Sequence, residues 1–199
     1  MRIHMGHRLM HAVVVCGCLL SGGIVMHQPA HAREPIAVSP ADHLAIVAAV
    51  NEIGLAADMR DWPRVRTQFA DEVLVDYTSL AGGQPARMNA NDLVASWRAF
   101  LPGFTATQHL VGSHRVSVEG KRARVLSQFI ATHRLAGATG GELWTLGGHY
   151  RHTLRKTGAA WKVDAITMTW TWQTGNPDLP RLAGEAAKQV KQETLSNKP

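Results

Sequence analysis

Two histidines carry the clearest chemical potential in this sequence: His109, in the segment TQHLVG, and His133, in ATHRL. Both lie in segments typical of β-strands, among neighbours that are mostly apolar or uncharged. Histidine has the side chain whose ordinary pKa lies nearest neutrality, so it can take up or release a proton at physiological pH. Two imidazoles that face one apolar cavity would therefore transfer protons without a cofactor, and proton-transfer catalysis is the first hypothesis.

Two further polar residues are placed by periodicity to point toward the same interior. Asp58 ends a mainly apolar stripe of the predicted first helix. Tyr77 is predicted to lie on the same, inward-facing side of a strand as Val73 and Val75. The stripe consists of Leu44, Val47, Asn51, Leu55 and Asp58. Asp58, bonded to one nitrogen of His109, would orient the other nitrogen as a general base. Tyr77 would donate a hydrogen bond to a developing oxyanion, and His133 would protonate or position the leaving group. Each of the four residues, taken singly, also fits a purely structural role.

Aromatic side chains at strand and helix spacing would form the wall around these groups. The predicted substrate-binding residues are Tyr150, Trp97, Phe104, Phe129 and Trp170. Ordinary core packing is an equally good explanation for residues of these types. His149 and His152 lie three apart on one strand and so face opposite sides of a sheet, which argues against a shared metal. We expect neither a metal nor a cofactor.

The predicted secondary structure around these groups consists of helices in the first half of the domain and strands in the second. Three helices are predicted first, capped by Ser39, Asp61 and Asn89. From residue 105 to 174 four strand-like runs follow, separated by turn sequences, as in consecutive antiparallel hairpins. Residues 81–85 are predicted as a loop, and a polar tail beyond Gly175 contains one helix over residues 182–190. Helices followed by a sheet predict an α+β fold.

The first 32 residues have the pattern of a cleaved secretory signal peptide. Arg2 and Arg8 form a positive n-region, residues 9–26 are largely apolar, and Ala30-His31-Ala32 is a small-residue cleavage site. We therefore expect a periplasmic or secreted protein with no stable membrane anchor after cleavage. The predicted organisation is a signal peptide (1–32), a linker (33–38), one domain (39–176) and a polar C-terminal tail (177–199).

Composition narrows the function classes further. Both cysteines, Cys16 and Cys18, lie in the predicted signal peptide, so the remaining chain can form no disulfide and has no thiol nucleophile. A lipoprotein acylated at Cys18 is the less favoured alternative, because the apolar region continues past it. The net charge is +6 for the full sequence and, without Arg2 and Arg8 of the predicted signal peptide, +4, which is a mild excess. No Lys/Arg cluster is interleaved with aromatic residues, so we expect a small-molecule substrate and no nucleic-acid partner.

Five short motifs, in their order and spacing, resemble the SnoaL-like and scytalone dehydratase-like branch of the nuclear transport factor 2-like fold. They are Asp58-Met59-Arg60-Asp61-Trp62, Val75-Asp76-Tyr77-Thr78-Ser79, Thr107-Gln108-His109-Leu110-Val111-Gly112, Thr132-His133 and Ala160-Trp161-Lys162. The resemblance implies a cone-shaped, curved mixed sheet wrapped around a pocket and packed against three N-terminal helices. Scytalone dehydratases eliminate water beside a carbonyl, without a cofactor, using an Asp, two histidines and tyrosines. Asp58, His109, His133 and Tyr77 match that set.

Three positions depart from the family pattern. The tyrosine expected before Asp58 is Ala57, and the Ser and Asn expected on the third long strand are Gly148 and Tyr150. The resemblance thus implies similar acid–base chemistry on a different molecule: a cofactor-independent, dehydratase-like lyase acting on a small apolar cyclic or aromatic substrate. The alternatives are a non-catalytic small-ligand-binding protein and an isomerase or polyketide cyclase. A homodimer or homotrimer is also implied by the resemblance.

Overall fold

The computed structural model describes the backbone of residues 38–196 and the side chains as far as residue 189. The predicted signal peptide lies outside the described residues. The helices are α1 (Pro40–Asp58), α2 (Trp62–Thr67), α3 (Thr78–Ala81), α4 (Ala90–Phe100) and α5 (Leu179–Ser196), with a 3-10 turn at Leu101–Gly103. The strands are β1 (Phe69–Asp76), β2 (Ala86–Asn89), β3 (Ala106–Glu119), β4 (Arg122–Arg134), β5 (Leu143–Thr157) and β6 (Ala160–Gly175). None of the helices described is both long and apolar enough to cross a membrane.

The six strands form one mixed sheet in the order β2-β1-β6-β5-β4-β3. Strands β3 to β6 are consecutive antiparallel hairpins, as predicted, whereas β1 pairs with β6 in parallel. Register shifts interrupt the pairing between Gly112 and Arg115 and between Gly147 and Gly148. Such irregularities bend and twist a strand. The prediction of an α+β fold with a curved mixed sheet and N-terminal helices is confirmed.

The predicted helix starts are those of the structure. The side chain of Ser39 accepts a hydrogen bond from the Asp42 N–H at 3.1 Å, and Asp61 and Asn89 cap α2 and α4 in the same way. Each cap satisfies a backbone donor that the helix itself leaves without a partner. Two short elements were not predicted, α3 after Tyr77 and β2 after the loop, because a four-residue segment carries too little periodicity to be recognised.

The predicted buried stripe of α1 is wrong. Leu44 and Leu55 are 69% and 51% exposed. The buried positions are instead Ile46, Ala49, Val50, Ile53, Gly54, Ala56 and Ala57. Apolar residues occur on every side of this helix, so several lines of helical spacing fit the sequence equally well. Packing of α1 against β3 and β6 selects among them.

The core lies between the helices and the inner face of the sheet. On β4, buried and more exposed positions alternate, and the inward ones run from Ala123 to His133 in steps of two. This alternation follows directly from strand geometry. It carries His133 into the interior at the end of an otherwise mainly apolar row.

The segment after Gly175 contains more ordered structure than the predicted helix over residues 182–190. Helix α5 begins at Leu179, and Leu179 and Ala183 are fully buried. It packs on the 3-10 turn so closely that a Cβ atom on Gly103 would lie 2.0 Å from the carbonyl oxygen of Ala183. The beginning of this segment is therefore part of the packed structure.

Candidate active site

A cavity of about 230 Å³ lies between the helices and the inner face of the sheet. Most of its lining is apolar or aromatic, contributed by α1, α4 and strands β3 to β6. Five polar side chains also line it: Tyr77, His109, His133, Tyr150 and His152. An apolar cavity with a few convergent polar groups is the usual form of a small-molecule site.

A second cleft, of about 360 Å³, has a different character. Two of its arginines form salt bridges: Arg122 and Arg155 both pair with Asp164, at 2.8 and 3.2 Å. It contains neither histidine nor aromatic side chains. The aromatic-lined cavity is therefore the better candidate for a catalytic site.

Asp58 and His109 form a tightly bonded pair at the cavity. The Asp58 Oδ1 atom lies 2.7 Å from His109 Nδ1, and Oδ2 accepts the backbone N–H of His109 at 2.7 Å. The Thr107 hydroxyl donates to Oδ1 at 2.8 Å. The predicted pairing of Asp58 with His109 thus exists in the structure, and the carboxylate holds the imidazole through both side chain and backbone.

Asp58 occupies the last turn of α1 because the helix ends abruptly beyond it. Arg60 has a φ of 61°, the left-handed conformation that closes many helices. The N–H groups of Arg60 and Asp61 then bond to the carbonyls of Ala57 and Ala56, at 3.1 and 2.9 Å. A helix C-terminus carries partial negative charge and disfavours a carboxylate. The three hydrogen bonds from β3 offset that cost.

The ionised state of Asp58 is favoured by its partners. Burial by itself raises the pKa of this carboxyl, but the hydrogen bonds from His109 and Thr107 outweigh burial, and the pKa lies below its ordinary value. Arg60 supports the arrangement, since its guanidinium donates to the Thr107 hydroxyl at 3.2 Å and to the Leu101 carbonyl at 2.8 Å. Periodicity gave no reason to select Thr107 or Arg60, although both lie in the motifs that carry the family resemblance.

His133 lies beside this pair in a strongly buried, aromatic environment. Its ring is 5.5 Å from that of His109, 4.8 Å from Phe104 and 4.9 Å from Trp144. Only 5% of the residue is exposed, and its Nδ1 atom has no hydrogen-bond partner among the described residues. Burial, assisted by His109, lowers the pKa of His133 to about 4. The ring is therefore neutral near pH 7, which favours positioning of the leaving group over its protonation, the two roles predicted for this residue.

Two tyrosines face the cavity. Tyr77 follows the end of β1, and Tyr150 stacks on Phe129 with ring centroids 4.3 Å apart. Burial raises the pKa of Tyr77 and of Tyr150, the first further through Tyr150 and the second through the charge of Asp58. Both hydroxyls therefore keep their protons at neutral pH and can donate hydrogen bonds.

The predicted wall is only partly correct. Trp97, Phe129 and Tyr150 line the cavity, whereas Phe104 and Trp170 do not. Phe104 packs instead on the ring of His133. Trp170 has the same alternation as Ile166 and Met168, which line the cavity, but it lies further along β6, and its indole N–H donates to the Trp172 carbonyl at 2.9 Å. The bulge in the pairing with β5 follows Trp170, and the residue beyond it, Trp172, is 44% exposed.

His152 also lines the cavity, although it was not among the predicted site residues. It is 3% exposed, and its ring lies 5.5 Å from that of Tyr150. His152 lies two residues beyond Tyr150 on the same strand and therefore faces the same side of the sheet, which is the feature that could have identified it. No group of three His, Cys, Asp or Glu side chains within residues 38–196 is arranged to hold a metal ion.

Comparisons with known proteins agree with this fold. The SnoaL-like domain model matches residues 39–167. The dehydratase cfoI of Aspergillus candidus is 27% identical over 155 residues, which are 71% of this chain and 90% of that protein. The solved structure of the Kfla4162 protein from Kribbella flavida is 25% identical, with a TM-score of 0.67 over 70% of this chain and 97% of that one. The hexachlorocyclohexane dehydrochlorinase LinA-type3 from Novosphingobium barchaimii shares the fold, with a TM-score of 0.57, 15% identity, and coverage of 69% and 91%.

Proposed function

This chain belongs to the SnoaL-like family, and we propose that it is a cofactor-independent lyase that eliminates water from a small, largely apolar cyclic or aromatic hydroxyketone. The observation that carries the proposal is the Asp58–His109 pair, bonded at 2.7 Å at the edge of an apolar cavity. The dehydratase of Aspergillus candidus, a relative over most of its length, supports an elimination. The dehydrochlorinase supports the fold and makes halide the alternative leaving group.

His109 is the base of the proposed reaction. Since Asp58 accepts at Nδ1, the proton of the neutral imidazole resides there, and Nε2 keeps a free electron pair. Nε2 removes a proton from the carbon next to the substrate carbonyl. The electron pair of the broken C–H bond moves into the carbonyl system and forms an enolate, while the Asp58 carboxylate stabilises the imidazolium.

The two tyrosines stabilise the enolate oxygen. Tyr77 and Tyr150 both line the cavity and hold their protons, so each hydroxyl can donate to an oxygen that gains charge. Tyr150 stands at the position where the family pattern has Asn. A phenol replaces an amide as donor there and adds the ring that stacks on Phe129.

Departure of the leaving group completes the elimination. The enolate electron pair forms the new C=C bond as the C–O bond breaks, and the departing hydroxide takes the proton held by the His109 imidazolium, giving water. His133, neutral and 5.5 Å from His109, hydrogen-bonds the departing oxygen. Of the two roles expected from the sequence, protonation and positioning of the leaving group, this is the second.

Turnover of a bicyclic hydroxyketone tests the proposal. 3-Hydroxy-1-tetralone loses water to give 1-naphthol, whose fluorescence follows the reaction. We expect the wild type to accelerate this step and His109→Ala to reduce kcat about 10²- to 10⁴-fold, the usual contribution of a general base. His149→Ala is the matched control, because His149 lies on β5 outside the cavity lining. Full activity of His109→Ala would show the assignment to be wrong, and binding of 1-naphthol without any turnover would favour a ligand-binding protein.

A further inference from the structure

His152 lies at the end of the cavity remote from the Asp58–His109 pair. Both histidines pair with residues of β4. His109 on β3 is opposite Ala131, whereas His152 on β5 is opposite Val125, three inward-facing positions closer to the start of β4. Its other neighbour in the sheet is Ile166 on β6. The imidazole therefore lies in a mainly apolar end of the cavity, with the ring of Tyr150 5.5 Å away.

The polar atoms of His152 are poorly satisfied by the protein. Its Nδ1 atom is buried and has no hydrogen-bond partner among the described residues. Two polar groups in the same region are paired with each other, since the Ser127 hydroxyl lies 2.8 Å from His114 Nδ1. A buried polar group without a partner costs stability, so a ligand group that bonds to this nitrogen removes that cost.

The chemistry of a neutral imidazole defines the complementary ligand group. Burial lowers the pKa of His152 to about 3, so the ring carries no charge near pH 7. It then has one N–H donor and one nitrogen acceptor. A hydroxyl, which can both donate and accept, matches either tautomer, whereas a carboxylate would be left without a counter-charge in this apolar end.

We propose that His152 is a substrate-binding residue that hydrogen-bonds a second hydroxyl group, carried by the substrate on the side away from the reacting carbon. This inference rests on the proposed function for the direction of the substrate, with the reacting C–H at His109. Its consequence is selectivity: a cavity with a buried, unpaired ring nitrogen disfavours analogues that lack the second hydroxyl.

Equilibrium binding tests the inference without any need for turnover. Dissociation constants are measured by calorimetry for 1-naphthol and for naphthalenediols whose second hydroxyl is at position 5, 6 or 7. In the wild type we expect at least one diol to bind about tenfold more tightly than 1-naphthol, the range of a hydrogen bond to an otherwise unsatisfied group. His152→Phe should abolish this preference, and His152→Asn, whose amide can replace Nδ1, should retain part of it.

The outcomes separate binding chemistry from folding and from catalysis. Equal affinity of all the ligands for the wild type, or an unchanged preference in His152→Phe, overturns the inference. Loss of the preference in both variants also overturns it, because the amide then fails to restore what the ring nitrogen supplied. Thermal melts verify that each variant is folded, and His152→Leu replaces the Phe variant if that one is not. A wild type that prefers a diol but never dehydrates the ketone contradicts the proposed function alone.

Discussion

The Asp58 carboxylate fixes the position of His109 in addition to supplying a negative charge beside it. One carboxylate oxygen meets the imidazole Nδ1 and the other meets the backbone N–H of the same residue, each at 2.7 Å. A single residue thus fixes the ring orientation, the tautomer and the position of the strand that carries it. Thr107 adds a hydrogen bond at 2.8 Å and is itself held by Arg60.

Replacement of Asp58 by Asn should therefore impair His109 as the proposed base while leaving its ring in place. The amide can offer an N–H toward Nδ1 and so favour the wrong tautomer, and it no longer stabilises the imidazolium. We expect kcat for 3-hydroxy-1-tetralone to fall about 10²- to 10⁴-fold. Thr107→Val, which removes one donor and retains the carboxylate, should cost about tenfold or less. An Asp58→Asn variant with more than a tenth of wild-type kcat would contradict the role of Asp58 in fixing the tautomer of His109.

Among the elements that carry the site, α1 and β3 approach each other closely at Gly54. A Cβ atom on Gly54 would lie 2.9 Å from the Cβ of His109, closer than side chains normally come. Glycine in the middle of a helix costs about 1 kcal/mol relative to alanine. The close packing that it allows sets the distance between the helix that carries Asp58 and the strand that carries His109.

Gly54→Ala should therefore destabilise the protein although alanine is the better helix former. We expect a loss of about 1–3 kcal/mol, typical of overpacking, together with a lower kcat, because β3 must move away from α1. Gly184→Ala, in α5, is the matched control: a Cβ there meets nothing within 4 Å. That variant should gain about 0.5–1 kcal/mol. Urea unfolding measures both, and a stabilised Gly54→Ala would refute the account.

At the scale of the whole molecule, the interior contains histidines that stay neutral. Burial lowers the pKa of His133 to about 4 and that of His152 to about 3, from an ordinary value of 6.5. The unfolded chain takes up protons on both rings as the pH falls through 6.5, whereas the folded chain does not. The free energy of unfolding therefore decreases with falling pH in this window.

This linkage predicts a stability profile that is flat above neutrality and falls below it. Between pH 6.5 and pH 5 we expect a loss of roughly 3 kcal/mol from the two rings together, because each group can contribute up to about 1.4 kcal/mol per pH unit once the pH is below 6.5. Urea unfolding at a series of pH values, followed by tryptophan fluorescence, measures it. His152→Phe should make the decline shallower. Equal stability of the wild type at pH 7 and pH 5 would show that these histidines are not neutral when folded.

Much of this architecture follows from local patterns. The capping residues Ser39, Asp61 and Asn89 and the four hairpin strands could be identified because caps and alternation are short-range properties. The pairing of Asp58 with His109 was also predicted, since both residue types and the family motifs indicated it. The expected signal peptide, the export that it implies and the oligomeric state stay predictions.

Most of the elements, the family and the chemical groups available to a site can be identified from the sequence, whereas the short α3 and β2 cannot. The packing of the elements against one another determines which side of α1 is buried, that Phe104 and Trp170 lie outside the cavity lining, and that His152 lies in it. It also places His133 where burial lowers the pKa of its ring. The physical reason is that periodicity describes the faces of one element, whereas burial and pKa depend on side chains that other elements bring into contact.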